Sequence, residues 1–299
     1  LNKISSNKET FITDLDNTLW GGIAAEDKQI LLGNDGLGLV YSEFQSSLKY
    51  LSRNGIILCI CSKNNDQDIK DEFKKNKNFK IKFNDFVIKK INWEQKSKNI
   101  IEISKELNLG LDSFVFLDDS EFERAEVKKK LKDVTVPELP KNPEDLNNWF
   151  LNNVVNKYFY KKKITKEDKN KKKQYEANQK RKLIQKNLTY KDFLKSLKIK
   201  VHIEKNKVQL FDRVYQLIQK VNQFNLTSKR YKESHIKECF KNNKYDIFTL
   251  SYSDIFNHEG VTGLAIMKRE DIFKVRIDTF LLSCRILGRK LKSIFLKKI

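Results

Sequence analysis

The chain has 299 residues, 39% of them apolar, which is enough to bury two modest cores and makes two domains the expectation. No stretch approaches the roughly 18 to 20 consecutive apolar residues that a bilayer crossing needs, and no basic-then-apolar leader opens the chain; the expectation is no membrane partner and a cytoplasmic protein. The net charge of +21 comes mostly from lysine, with no zinc finger, RNP-like strand or glycine loop beside it, so nucleic acid is disfavoured; an acidic protein or a phosphorylated small molecule responds to the same field.

Taken in order, residues 10 to 15 read as a buried strand, and Val40, Phe44, Leu48 and Leu51 recur at helical spacing before Gly55. Ile56 to Ile60 reads as a second strand and Phe83 to Ile88 as a third. A helix over Trp93 to Leu107, a strand over Ser113 to Leu117 and a helix over Phe122 to Leu131 complete the first half. Strands alternating with helices predict a mostly parallel sheet covered on both faces. Pro137, Pro140 and Pro143 oppose a continuous helix and mark a domain edge. We therefore expect a first domain over 1–143, a basic helical connector over 144–190 and a second α/β module over 191–299. In that module, strands are expected near Lys198 to Ile203, Val261 to Lys268 and Ile272 to Thr279, and helices near Phe211 to Val221 and Ser228 to Cys239.

The chemistry concentrates where apolar runs end. Asp14 and Asp16 follow the first strand, Ser62 follows the second, Lys96 lies near a helix start, and Asp118 and Asp119 end the Ser113 to Leu117 run. Parallel strands bring such groups to one carboxyl edge. There they match the needs of phosphoryl transfer: a carboxylate nucleophile, acids to hold a metal, a hydroxyl and an ammonium to hold phosphate, and a carboxylic acid for the leaving group. The four cysteines, Cys59, Cys61, Cys239 and Cys284, form neither a zinc pattern nor a disulfide framework and fit a reducing compartment.

In order, spacing and residue type these four motifs resemble the haloacid-dehalogenase superfamily. The strings DLDNTLWGG at Asp14, CSKNN at Cys61, NWEQK at Asn92 and LGLDSFVFLDD at Leu109 are similar to its FkbH-like branch (subfamily IIIC). Where that branch commonly has Asn-Pro before Phe-Glu-Arg, this chain has Ser120-Glu121. The resemblance implies a Mg2+-dependent site. In it Asp14 is the nucleophile, Asp16 the general acid/base and, through its backbone carbonyl, a metal ligand; Ser62 and Lys96 bind phosphate, and Asp118 with Asp119 completes the metal shell. The stretch from Leu19 to Val40, with its five glycines, is too short for a substantial cap, so a minimal flap is expected.

The second half resembles the acyltransferase (GNAT-like) module of the same proteins, and it is expected to be incomplete because the chain stops soon after Arg285-Ile-Leu-Gly288-Arg289-Lys290. In that fold such a loop surrounds the pyrophosphate of coenzyme A; here Lys290 stands where a small residue is usual. Asn222, Gln223 and Asn225, together with Arg285 and Gly288, are the candidate contacts of this module. The branch implies transfer of a glyceryl group from 1,3-bisphosphoglycerate to the phosphopantetheine thiol of an acidic acyl carrier protein, through a thioester for which Cys61 and Cys284 are the candidates. The alternatives are a simple phosphomonoesterase of sugar or surface-polysaccharide biosynthesis and an inactive carrier-protein-binding scaffold.

Overall fold

The computed structural model describes residues 8–299 except 25, 28, 161–164, 222, 223, 228, 284, 285 and 287, with backbone alone for 166, 167 and 220. The chain forms two compact units, Leu1–Lys172 and Lys173–Ile299, dividing within the segment expected as a connector.

In the first unit the elements run β1 (Thr10–Thr13), α1 (Gly36–Arg53), β2 (Ile57–Ser62), α2 (Asp66–Lys75), β3 (Ile88–Ile91), α3 (Lys96–Leu107), β4 (Phe114–Leu117), α4 (Glu121–Lys130) and α5 (Leu146–Phe150), the last continuing as a π-helix over Leu151–Phe159. The four strands form one parallel sheet in the order β3-β2-β1-β4. The near-continuous apolar runs of β1, β2 and β4 follow from burial on both faces, and all of their residues are buried. The helical spacing noted in α1 becomes the face of Tyr41, Phe44, Leu48 and Leu51; Phe44 meets Phe150 edge-on with ring centroids 4.9 Å apart. Gly55 then turns the chain into β2 at φ +82, where a Cβ would stand 2.2 Å from the carbonyl oxygen of Asp168.

The third strand differs from expectation. Phe83–Asp85 forms a 3-10 turn whose start is held by Lys82 N donating to Asp85 Oδ2 (2.9 Å), and the strand begins only at Ile88, in register with Cys59 of β2. Helix α2 was not anticipated from the sequence. Its N-cap Asn65 accepts from Gln67 N (2.9 Å), and it buries only Ile69 fully, so its apolar periodicity is weak.

The second unit combines strands and helices as expected and adds one strand to those read from the sequence. The first unit ends with α6 (Lys166–Lys169), and α7 (Lys171–Lys186) begins at its boundary; past α8 (Tyr190–Ser196), the strands β5 (Lys200–Lys205), β6 (Tyr245–Ser253), β7 (His258–Arg269) and β8 (Val275–Leu282) form one antiparallel sheet in sequence order. Helices α9 (Phe211–Lys220) and α10 (Glu233–Lys241) lie between β5 and β6, and α11 (Leu291–Lys298) follows β8. Strand β6 was missed because its buried and half-buried positions carry Thr249, Ser251 and Tyr252 as well as apolar residues, which weakens the alternation.

Within this unit, Arg181 of α7 donates from Nε and Nη2 to the two oxygens of Asp254 (2.7 and 2.8 Å) and from Nη1 to Glu259 (2.8 Å). All three side chains are essentially inaccessible. Burial alone would raise the Asp254 carboxyl, but Arg181 and Tyr252 bring it below its ordinary value. The stability this adds is present above the unfolded carboxylate range and is lost as pH falls through the lower folded value. Arg181→Met removes the cation bonded to two buried carboxylates and is expected to cost about 3 to 5 kcal/mol, read by urea denaturation at neutral pH; a loss below about 1 kcal/mol would show that the cluster is compensated by water or by the neighbouring Arg289.

Candidate active site

The parallel order places the carboxyl ends of β1, β2 and β4 side by side, with β3 outside β2. Asp14 directly follows β1, and its N–H donates to the carbonyl of Leu117 at the end of β4 (2.9 Å), so the two acidic corners are tied through backbone. Lys96, the first residue of α3 and only 3% exposed, reaches across to Asp14 Oδ1 (2.9 Å) and to Asp118 Oδ2. Burial would lower the Lys96 ammonium, but the charges of Asp14 and Asp118 raise it above its ordinary value. Asp118 is fully buried and accepts from Ser120 N (2.9 Å); burial first, then the charge of Asp14, pushes its carboxyl up against the pull of Lys96. Asp119 is raised by the same two causes.

Asp14, Asp118 and Asp119 each offer a carboxylate oxygen within 4.8 Å of the others. Three hard oxygen donors crowded so closely, two of them already driven toward the neutral form, make a set that a small divalent cation such as Mg2+ fits and would neutralise. Mg2+ is therefore expected to raise the thermal midpoint of the chain. Asp118→Asn should lose most of that rise, because binding to the folded state alone stabilises it. An equal rise in both proteins would place the ion elsewhere.

Asp16 stands apart from this cluster. Its Oδ1 accepts from Trp20 Nε1 and Ala24 N (3.0 Å each), and its Oδ2 from Asn64 Nδ2 (2.8 Å). The short stretch after β1 thus wraps the carboxylate with its own donors. Asn64 also donates to Ser62 Oγ (3.0 Å), linking the hydroxyl at the end of β2 to Asp16. Thr18 Oγ1 accepts from Asp119 N (3.0 Å) and donates to Asp119 Oδ1 (3.2 Å), and Arg124 Nη1 donates to the Asp118 carbonyl (2.9 Å). Sequence reading assigned no role to Asn64, Thr18 or Arg124. Their one signal was proximity to the acidic and hydroxyl motifs, and polar residues are common at strand ends.

Cys61 lies in β2, fully buried, with its thiol 3.8 Å from the Lys96 carbonyl, and burial pushes that thiol far up. Of the residues proposed for the second unit, Asn222, Gln223, Cys284 and Arg285 lie outside the described residues. Asn225 forms an isolated antiparallel bridge with Leu281, and Gly288, at φ +78, accepts at its carbonyl from Tyr190 Oη (2.8 Å). No helix among the described residues is long and apolar enough to cross a membrane.

No family model matches the chain, and no curated protein matches it. Among solved structures, the chain is similar to the N-terminal part of the protein BF1531 from Bacteroides fragilis, containing a phosphatase domain complexed with Mg. That likeness has 42% identity over 50% of this chain and 40% of that one, with a TM-score of 0.48. It is also matched to a HAD family enzyme, BT-2542, from Bacteroides thetaiotaomicron, in complex with magnesium and inorganic phosphate (13% identity, 44% of this chain and 94% of that one, TM-score 0.32). A third match is 3-deoxy-D-manno-octulosonate 8-phosphate phosphatase from Moraxella catarrhalis, in complex with magnesium ion, phosphate ion and KDO (14% identity, 47% and 74%, TM-score 0.29). The chain spans 40% of the length of the first of these. The class that the fold and site define is a parallel, helix-covered sheet whose carboxyl edge gathers Asp14, Asp118 and Asp119.

Proposed function

We propose that this chain is a Mg2+-dependent phosphatase that takes a phosphoryl group from a phosphorylated small molecule onto Asp14 and passes it to water. The observation that carries this reading is the meeting of Asp14, Asp118 and Asp119 within 4.8 Å at one sheet edge, with the Lys96 ammonium paired to Asp14 and Asp118.

In this reading a carboxylate oxygen of Asp14 attacks phosphorus, the bond to the leaving oxygen breaks, and Asp16 supplies the proton that oxygen takes up. Asp16 then removes a proton from water as the water attacks the aspartyl-phosphate, releasing phosphate and restoring Asp14. Trp20, Ala24 and Asn64 fix the Asp16 carboxyl for both steps. Ser62 holds a phosphoryl oxygen, and Lys96 balances the negative charge between Asp14 and the incoming phosphate. Mg2+, held by Asp14, Asp118, Asp119 and the Asp16 carbonyl, would supply charge neutralisation at the transferred group.

The narrower reading, loading of a glyceryl group from 1,3-bisphosphoglycerate onto an acyl carrier protein, draws its support from the FkbH-like strings, as does the acyltransferase reading of the second unit. Cys61 suits a thioester poorly, since a nucleophilic thiol must reach its thiolate and burial here opposes that. Support is therefore stronger for release of phosphate to water than for transfer through Cys61.

The test is phosphate release from a panel of acetyl phosphate, phosphoglycerates and sugar phosphates, with Mg2+ and with chelator. Magnesium-dependent release from at least one of them is expected. No turnover across the panel, with the chain folded and Mg2+ bound, would overturn the proposal in favour of the carrier-binding scaffold.

A further inference from the structure

Between α2 and the loop leading to β3 lies a hollow of about 520 Å³, within the range of small-molecule sites. Phe73, Phe79 and Phe83 line it, and the first two stack with ring centroids 4.2 Å apart. These three rings are only half-buried, unlike the fully buried aromatic residues of the sheet core. Four lysines stand at its rim. Lys70 and Lys74 are paired within α2 to Asp66 and Asp71. Lys77 and Lys82 are exposed and have no carboxylate partner among the described residues. Phe73 and Phe79 already cover one face of each other and Lys89 stands 4.9 Å over the Phe83 ring, so the hollow presents a half-buried apolar wall beside the two uncommitted lysines, complementary to a flat apolar body that carries a negative group.

The back of this hollow is shared with the active site. Phe73 and Phe79 each meet the buried Trp20 edge-on, at 5.9 and 5.7 Å, and Trp20 donates its indole N–H to Asp16. A ligand that pins the two phenylalanines therefore also pins the ring that orients Asp16.

We propose that this hollow binds a small aryl anion and that its occupancy is felt at Asp16 through Trp20. The first part stands on the hollow alone; the second rests on the reading of Asp16 as the acid/base group.

The probe is naphthalene-2-sulfonate, which carries no phosphoryl group for Asp14 to take, with methanesulfonate and 2-naphthol as the anion alone and the ring alone. Calorimetry on the full chain is expected to show one-to-one binding of naphthalene-2-sulfonate and at least tenfold weaker binding of the other two. The double variant Lys77→Glu/Lys82→Glu, whose changes are exposed, should unfold at an unchanged temperature and bind the probe at least tenfold more weakly. Equal binding by the double variant, or full displacement of the probe by inorganic phosphate with Mg2+, would overturn the site. For the coupling, saturating probe should change kcat for acetyl phosphate at least twofold in the parent chain and leave the double variant unaffected. An unchanged kcat in a chain that binds the probe overturns the coupling. Absence of any hydrolysis would count against the phosphatase proposal while leaving the calorimetry to decide the site.

Discussion

Asp14→Asn is expected to lower kcat for phosphate release by about four orders of magnitude or more, the scale seen when a covalent nucleophile is removed. The amide has the size of the carboxylate but cannot attack phosphorus. The fold should tolerate the change: Asp14 is one of two carboxylates on Lys96, and Asp118 keeps the ammonium paired. Removing the Asp14 charge also relieves a cause of the raised carboxyls of Asp118 and Asp119. The thermal midpoint without Mg2+ should therefore stay within a few degrees of the parent while turnover disappears. Phosphate release within about tenfold of the parent would remove Asp14 from the nucleophile role.

Lys96→Met is expected to damage both stability and turnover, because the same ammonium serves both. Its side chain is 4% exposed between Asp14 and Asp118, so its loss leaves two carboxylates facing each other in a buried site, at a cost of about 3 to 5 kcal/mol without metal. The ammonium's raised pKa means that its contribution is fully present below the ordinary lysine range and lost only as pH rises through the higher folded value. Urea denaturation at pH 7 therefore reads the whole effect. Loss of a positioned cation at the transferring phosphate should lower kcat by about 10² to 10³-fold. Mg2+ is expected to restore part of the stability and little of the turnover. The Asp14→Asn/Lys96→Met double variant should be more stable than Lys96→Met alone, since one of the opposed charges is gone; strict additivity of the two changes would contradict direct coupling.

How much of this is legible in the sequence follows from where each signal lives. The runs Phe11-Ile12, Ile57 to Ile60 and Phe114 to Leu117 announce buried parallel strands by composition alone, and a polar group ending each run points to the carboxyl edge. That is why spacing singles out Asp14, Ser62, Asp118 and Asp119 as residues at strand ends. Strand β3 was displaced because Phe83 to Ile88 carries a strand-like composition, while the Asp85 contact to Lys82 N and the register with β2 decide where pairing starts.

By itself the sequence determined the local periodicities of the first unit, the residue types at its strand ends, and the chain order in which the motifs occur. Only tertiary structure decided that β1 lies between β2 and β4, which is what brings Lys96 to both Asp14 and Asp118. It also decided that Asn64, Trp20 and Ala24 spend their donors on Asp16, and that the Cys61 thiol is enclosed. In the second unit it decided that the strands pair antiparallel in one sheet and that β6 joins them. The physical reason is common to all of these: periodicity reports which face of an element is buried, whereas pairing order, hydrogen-bond partners and the solvation of a thiol depend on residues distant in the chain.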